Sequence, residues 1–425
     1  MLEGAAQHLG MRTMAHPESR VEILALFTAA LIAGSAAYAG MGALLPYVER
    51  AYALSGAQVG YVETAVVLGS TATVSASGIF CDRFGDRATL FWSGMVMTAA
   101  LIAAGLVHHY PFVLAFLFVY GAGFAASCPA GSHAILFFFK KEERGLAMGV
   151  RQMGTPLGGV AGALLFAALG SHFGYRGAIL SAAVLVFTVA VAATLLYREP
   201  PQLHGERIAV RVLAEDVLLM AREPRLLAIT LASALLMFVQ TAFIAYFPIT
   251  MVKLAGFGAP LAAVLFACGH LAAAFGRLVI GRASDTLFRG ARAVPMAIAA
   301  VGAAVGAIGV GAAGFVPTAL VAAASLLLGF AGEGWFGLSL IAMAEIGGEE
   351  HAGGALGFGL TGTFAMGVVA PLIFGAIVAR SSYGAAWEAT AIISLAAAVP
   401  ALVVARSLRA ATTTSANTRR SSRSG

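Results

Sequence analysis

Charge is what this chain has least of. Asp, Glu, Lys and Arg make up 11% of its 425 residues, against about 25% in a soluble domain. That scarcity excludes a soluble globular protein. Cysteine is scarce as well: Cys81, Cys128 and Cys268 lie in or beside apolar runs, at spacings that fit no metal site. Neither a disulfide framework nor a metal is expected. No Gly-x-x-x-x-Gly-Lys-Ser/Thr and no His-Glu-x-x-His occurs, which argues against ATP-driven work and against zinc hydrolysis. No in-run His or acidic residues cluster in sequence, and no polar stretch is long enough for a receptor domain. A membrane enzyme and a receptor are therefore set aside, and no cofactor is expected. The polar first twenty residues lack a signal-peptide pattern, so the first apolar run is expected to direct insertion.

What the chain does have is apolar length. Hydrophobic residues are 60% of it and its mean hydropathy is +0.89. Runs long enough to span a bilayer fall at about 22–48, 57–81, 88–107, 112–138, 145–169 and 177–197. Six more follow at about 226–251, 259–281, 293–312, 317–345, 353–379 and 385–406. The expected organisation is an N-tail 1–20, a first half 21–197, a linker 198–225, a second half 226–406 and a disordered tail 407–425. Ile208 to Met220 in the linker has helical apolar spacing and reads as a surface-lying helix. With the N-terminus in the cytoplasm, the segments on that side hold 20 Lys and Arg and the outer loops hold four. Both termini are thus expected to be cytoplasmic. The pI near 9.4 is explained by this bias, and no nucleic-acid partner is expected.

Between spans 2 and 3 lies Gly78-Ile-Phe-Cys-Asp82-Arg83-Phe-Gly85-Asp86-Arg87. A weaker copy, Gly281-Arg-Ala-Ser-Asp285 followed by Arg289, Gly290 and Arg292, recurs 203 residues later. Two copies at matching places predict two similar halves. A second repeat agrees: at an offset of 208, Gly145, Ala147, Gly149, Gly154 and Gly159 fall on Gly353, Ala355, Gly357, Gly362 and Gly367. Glycines so spaced let helices approach closely.

On these residues the chain resembles the major facilitator superfamily of transporters over essentially residues 20–406. The hinge matches that family's loop signature at Gly78, Asp82, Arg83, Gly85 and Arg87, and more weakly at Gly281, Asp285, Gly290 and Arg292. The resemblance implies an all-α membrane protein of twelve transmembrane helices in two pseudo-symmetric six-helix bundles, with alternating access to a midplane site. It implies that Asp82 lies near the start of span 11 and Asp285 near the start of span 5, each latching a cytoplasmic gate. Other family signatures depart here. Leu117 stands where span 4 often has an Arg, and Gly154-Thr-Pro156-Leu-Gly158-Gly159 is wrongly spaced for the antiporter pattern. Both departures argue against drug–proton antiport.

Ionisable groups inside the spans are costly and few. Arg151 in span 5 and Arg277 in span 8 lie at similar depths, in spans that the resemblance brings together. Two cations in a low-dielectric cleft call for an anion, so a carboxylate substrate held by Arg151, Arg277 or both is expected. The alternative is that they pair with acids at the cytoplasmic gate. Arg277-x-x-x-Gly281 also looks like span 8 of monocarboxylate and oxalate/formate carriers, although Ala273 replaces the Asp of the monocarboxylate carriers. Glu333 in span 10 is the expected proton-coupling carboxylate, with His270 and Glu63 as further titratable candidates. Each has a purely structural alternative. Gln240, Tyr38, Tyr120 and Trp335 are weaker candidates for the cavity lining, and Glu388 is set aside as peripheral. The reading is a monomeric, multi-pass carrier of the bacterial cytoplasmic (inner) membrane. It moves a small organic anion with H+. The competing reading is a proton-driven efflux antiporter of the same fold.

Overall fold

The computed structural model describes residues 17–139, 144–199 and 220–421. The amphipathic part of the linker falls outside them, apart from its last residue, Met220. The side chains of Gly78, Asp82 and Arg83 are also outside the description. Among the described residues the chain is all helix: α1 Pro17–Ala39, α2 Met41–Tyr52, α3 Gly56–Leu106, α4 Tyr110–Phe138, α5 Arg144–Gln152 and α6 Gly154–Leu196. After residues 200–219 come α7 Pro224–Lys253, α8 Ala259–Thr286, α9 Ala293–Gly311, α10 Thr318–Gly334, α11 Phe336–Arg380 and α12 Tyr383–Ser421.

Among the described residues, ten helical stretches are long and apolar enough to cross a bilayer. Three helices are too long to be single crossings, since about 20 residues suffice. Each is broken at one glycine in the left-handed region: α3 at Gly85 (φ 86), α6 at Gly174 (φ 64) and α11 at Gly348 (φ 68). Only glycine takes that φ without a steric penalty, and at each the chain leaves one rod and begins the next.

α12 is continuous to Ser421, past Ser407, the last residue whose side chain is described.

The halves join along two seams. On one, α2 meets α7 and the first rod of α3 meets the last rod of α11. There Lys253 Nζ lies 3.1 Å from Glu49 Oε1 and Thr64 Oγ1 donates to the Val368 carbonyl (3.3 Å); Gly60 packs against Tyr246 and Pro371, which are bonded to each other within the second half (2.9 Å). On the other, α8 meets α5 and α6. Alanine is the most frequent buried apolar residue among the described ones, with leucine, valine and phenylalanine filling between. Phe243, Phe247 and Phe266 are fully buried beside Ala242, Ala245 and Ala267.

Candidate functional site

Two helices of the second half build the site. His270 and Arg277 are seven residues apart on α8, two turns, and so share a face. On α10, Gly329 meets α8 at Gly269 so closely that a Cβ there would strike the Gly269 carbonyl. That approach brings Glu333, one turn further on, between the two α8 side chains. Its Oε1 lies 3.0 Å from His270 Nδ1 and its Oε2 3.8 Å from Arg277 Nη2. The three side chains are 0%, 6% and 1% exposed, so this is an ionic cluster cut off from water.

The cluster reaches across to the first half through two main-chain carbonyls. His270 Nε2 lies 2.9 Å from the Ala39 carbonyl. α1 ends at Ala39, and the Ala43 N–H bonds Gly40 rather than Ala39, which leaves the Ala39 oxygen available. Arg277 Nη1 donates to the Gln152 carbonyl at 2.7 Å. The residue that would satisfy this carbonyl within a helix is Pro156, four positions on, and proline has no N–H. A helix break and a proline thus turn two backbone oxygens of the first half toward two side chains of the second. Gly159 completes the fit, because a Cβ there would come 2.6 Å from the His270 ring.

This cluster is only partly satisfied. Arg277 Nε has no hydrogen-bond partner among the described residues, and neither Glu333 oxygen makes an aligned hydrogen bond. The 3.8 Å separation is too long for a hydrogen bond, and the 3.0 Å one is within range but poorly aligned. Aromatic rings provide the walls. Arg277 lies over the Phe336 ring at 5.8 Å, and His270 stands edge-on to Phe266 (4.4 Å) and Phe243 (5.3 Å).

The other sequence-singled residues are placed differently. Arg151 is buried, with its guanidinium against Gly131 of α4, where a Cβ would collide with it. Gln240 is buried on α7 with its Oε1 lacking a partner among the described residues. Tyr38 stacks on Phe124 (4.8 Å), and Tyr120, fully buried, donates to the Gly34 carbonyl. Trp335 sits in a hydrophobic cluster with Leu226, Met237 and Met296, its Nε1 donating to the Gly332 carbonyl (2.8 Å). Glu63 is wholly buried on α3.

At the hinges, Asp285 pairs with Arg292, whose Nε also reaches Glu345 of α11 at 3.2 Å. This is a contact within the second half, seven residues along the same loop. Arg289 has φ 51 and Gly290 φ 83 in that turn. A Cβ on Gly281 would meet open space.

The first hinge shows a contact that sequence reasoning missed. Glu199, just past the end of α6, accepts from the backbone N–H of Asp86 (2.6 Å) and of Arg87 (3.3 Å). These are unsatisfied donors at the start of the rod that follows Gly85, a site that favours an anion. Asp86 is buried, taking Cys81 Sγ at 3.1 Å and Tyr197 Oη at 3.4 Å, and Arg87 Nε donates to the Thr194 carbonyl (2.9 Å). The signal in sequence was the pair Arg198-Glu199 just after an apolar run.

Residues 26–345 match the family model described as Major Facilitator Superfamily. A protein of Mycobacterium tuberculosis named as an uncharacterized MFS-type transporter is 29% identical over 368 residues, 86% of this chain and 80% of its own. A fujikurins efflux protein of Gibberella fujikuroi is 26% identical over 213 residues, 50% of this chain and 45% of its own. Among solved structures, a bacterial homolog of the human lysosomal transporter Spinster, inward-facing and unoccupied, superimposes with a TM-score of 0.77. Its identity is 16%, and the match covers 92% of this chain and 98% of that one. At that identity the likeness concerns the fold.

Proposed function

Since this chain belongs to the major facilitator superfamily, a family of membrane transporters, we propose that it carries a small organic anion of the carboxylate type together with a proton, by alternating access. The observation that supports this is Arg277: buried on the seam between the halves, joined to the opposite half through Gln152, yet with Nε unbonded and Nη2 3.8 Å from its counter-ion. A buried guanidinium with donors to spare is a receptor for a second carboxylate.

The coupling follows from charge balance. With Glu333 ionised, its charge balances that of Arg277. A substrate carboxylate can take the place of Glu333 only if Glu333 accepts a proton, because a surplus buried charge is costly. One proton per carboxylate keeps the site neutral, and His270 keeps Glu333 in register. In this reading Arg151 braces α5 against α4, and Tyr38, Tyr120 and Gln240 line the path. The chain makes twelve crossings as two six-helix halves joined by 198–225, with both termini in the cytoplasm of a bacterial cell, and works as a monomer.

Uptake of labelled carboxylates into proteoliposomes, with and without an inward proton gradient, tests the proposal. Gradient-driven uptake restricted to anions supports it. Uptake that is unchanged by Arg277→Ala for every anion rejects it. The fungal efflux relative favours a second reading, proton-driven export of a metabolite. That reading expects protons to exchange against substrate rather than to accompany it.

A further inference from the structure

Glu63 is the buried acid the coupling scheme above does not use. It lies six residues into the second apolar run, and its side chain is 0% exposed. Neither carboxylate oxygen has a hydrogen-bond partner among the described residues. Glu333 at least has a cation and an imidazole within 4 Å.

The surroundings of Glu63 explain its isolation. One turn away, Gly60 is packed so tightly that a Cβ would strike Tyr246 Oη and come 2.7 Å from the Pro371 carbonyl. Its neighbour Thr64 bonds Val368, and Val67, one turn on, lies against Gly367. Glu63 therefore lies at the edge of the seam that closes the halves along α3 and α11, on the side of Tyr120 of α4. The titratable groups nearest to it on the elements packed there are phenols: Tyr120 on α4, Tyr246 on α7 and, beyond Tyr120, Tyr38 on α1. Lys253 of α7, two turns beyond Tyr246, is already paired with Glu49. Tyr120 and Tyr246 already donate to the Gly34 and Pro371 carbonyls. The α11 residues facing this stretch, Gly367, Val368 and Pro371, bear no charge. An ionised carboxylate left unpaired in such a place carries a penalty that no neighbour relieves.

We propose that Glu63 is a proton-binding gate residue: the α3–α11 seam closes only when Glu63 carries a proton, and opening it to water releases that proton. The closed state then holds one proton more than the open state, so falling pH on the side where the seam opens favours closure. The shift approaches about tenfold in the open-to-closed ratio per pH unit. With the orientation proposed above, that side is the cell exterior. The inference rests on that orientation and not on the identity of the substrate.

The test uses the full-length protein in bilayers, with Cys81, Cys128 and Cys268 replaced by serine and Thr64→Cys added. An impermeant maleimide is applied from each side in turn. Labelling, taken as a ratio to that of an exposed cysteine at the same pH so that the loss of thiolate cancels, is expected from the exterior only, the ratio falling several-fold between about pH 8 and about pH 5. Glu63→Gln, a mimic of the protonated acid, is expected to label slowly at every pH, and Glu63→Asp to keep the pH dependence. An infrared band of a protonated carboxylic acid is expected that Glu63→Gln removes and Glu333→Gln does not. A pH dependence of that ratio that survives Glu63→Gln, or an infrared spectrum unaltered by it, overturns the proposal. Labelling from the cytoplasmic side alone overturns the orientation and leaves the gate assignment to the infrared result. These outcomes are independent of carboxylate uptake.

Discussion

Arg277 of the second half donates to the main-chain carbonyl of Gln152 in the first, at 2.7 Å, and the donor this carbonyl would otherwise have is missing because residue 156 is proline. A side chain of one half thus completes a helix of the other. Pro156→Ala should restore an N–H opposite Gln152 and draw the carbonyl back into its own helix. The expected result is a more stable α5–α6 junction and a slower transport cycle, checked by pairing thermal unfolding with uptake rates.

Arg277→Ala should be destabilising as well as inactivating. It leaves Glu333 buried without its cation, and breaking a buried pair in this way costs about 3–5 kcal/mol. The double variant Arg277→Ala/Glu333→Gln should recover much of the lost stability but none of the anion uptake. Melting temperatures of the single and double variants decide this.

Glu333→Gln imitates the protonated site permanently. Arg277 is then free for a carboxylate at any pH. Substrate exchange across the membrane should persist and lose its pH dependence, while accumulation driven by a proton gradient should disappear. Counterflow and gradient-driven uptake measured on the same vesicles separate the two.

Glu199→Ala removes the carboxylate that accepts from Asp86 and Arg87. Loss of such a helix cap costs about 0.5–2 kcal/mol. The variant should melt earlier, with substrate affinity unchanged, since the Glu199 carboxylate bonds the hinge of α3 and none of His270, Arg277 and Glu333.

Trp335→Phe is a contrast. The indole N–H donates to the Gly332 carbonyl within a hydrophobic cluster, so its loss should cost about 1 kcal/mol and leave the KM for substrate alone. A large change in KM with normal stability would return Trp335 to the cavity lining.

The repeat of Gly-x-x-x-Asp hinges and the apolar runs made the two-part helical fold readable, because glycine and hydrophobicity act locally and leave their mark in sequence. Glu333, His270 and Arg277 were readable for the same reason: an ion in an apolar span stands out. Their arrangement was not. Glu333 meets His270 and Arg277 only because Gly269 and Gly329 bring α8 and α10 into backbone contact, and the partners on the other half are carbonyls that any residue type supplies. The motif containing Pro156 was visible as an imperfect signature, yet its effect falls on Gln152, four residues earlier. The expectation that Arg151, Arg277 or both hold an anion drew on their similar depth and on the contact between spans 5 and 8 that the resemblance implies. Depth says nothing of direction, and the Arg151 guanidinium lies on Gly131 of its own half.

Glu199 stands three residues past the end of α6 and accepts from two backbone donors just beyond Gly85. One carboxylate therefore buttons the exit of α6 to the bend of α3, so a change in the angle between the two rods of α3 is handed on to the end of α6 through that single fastening.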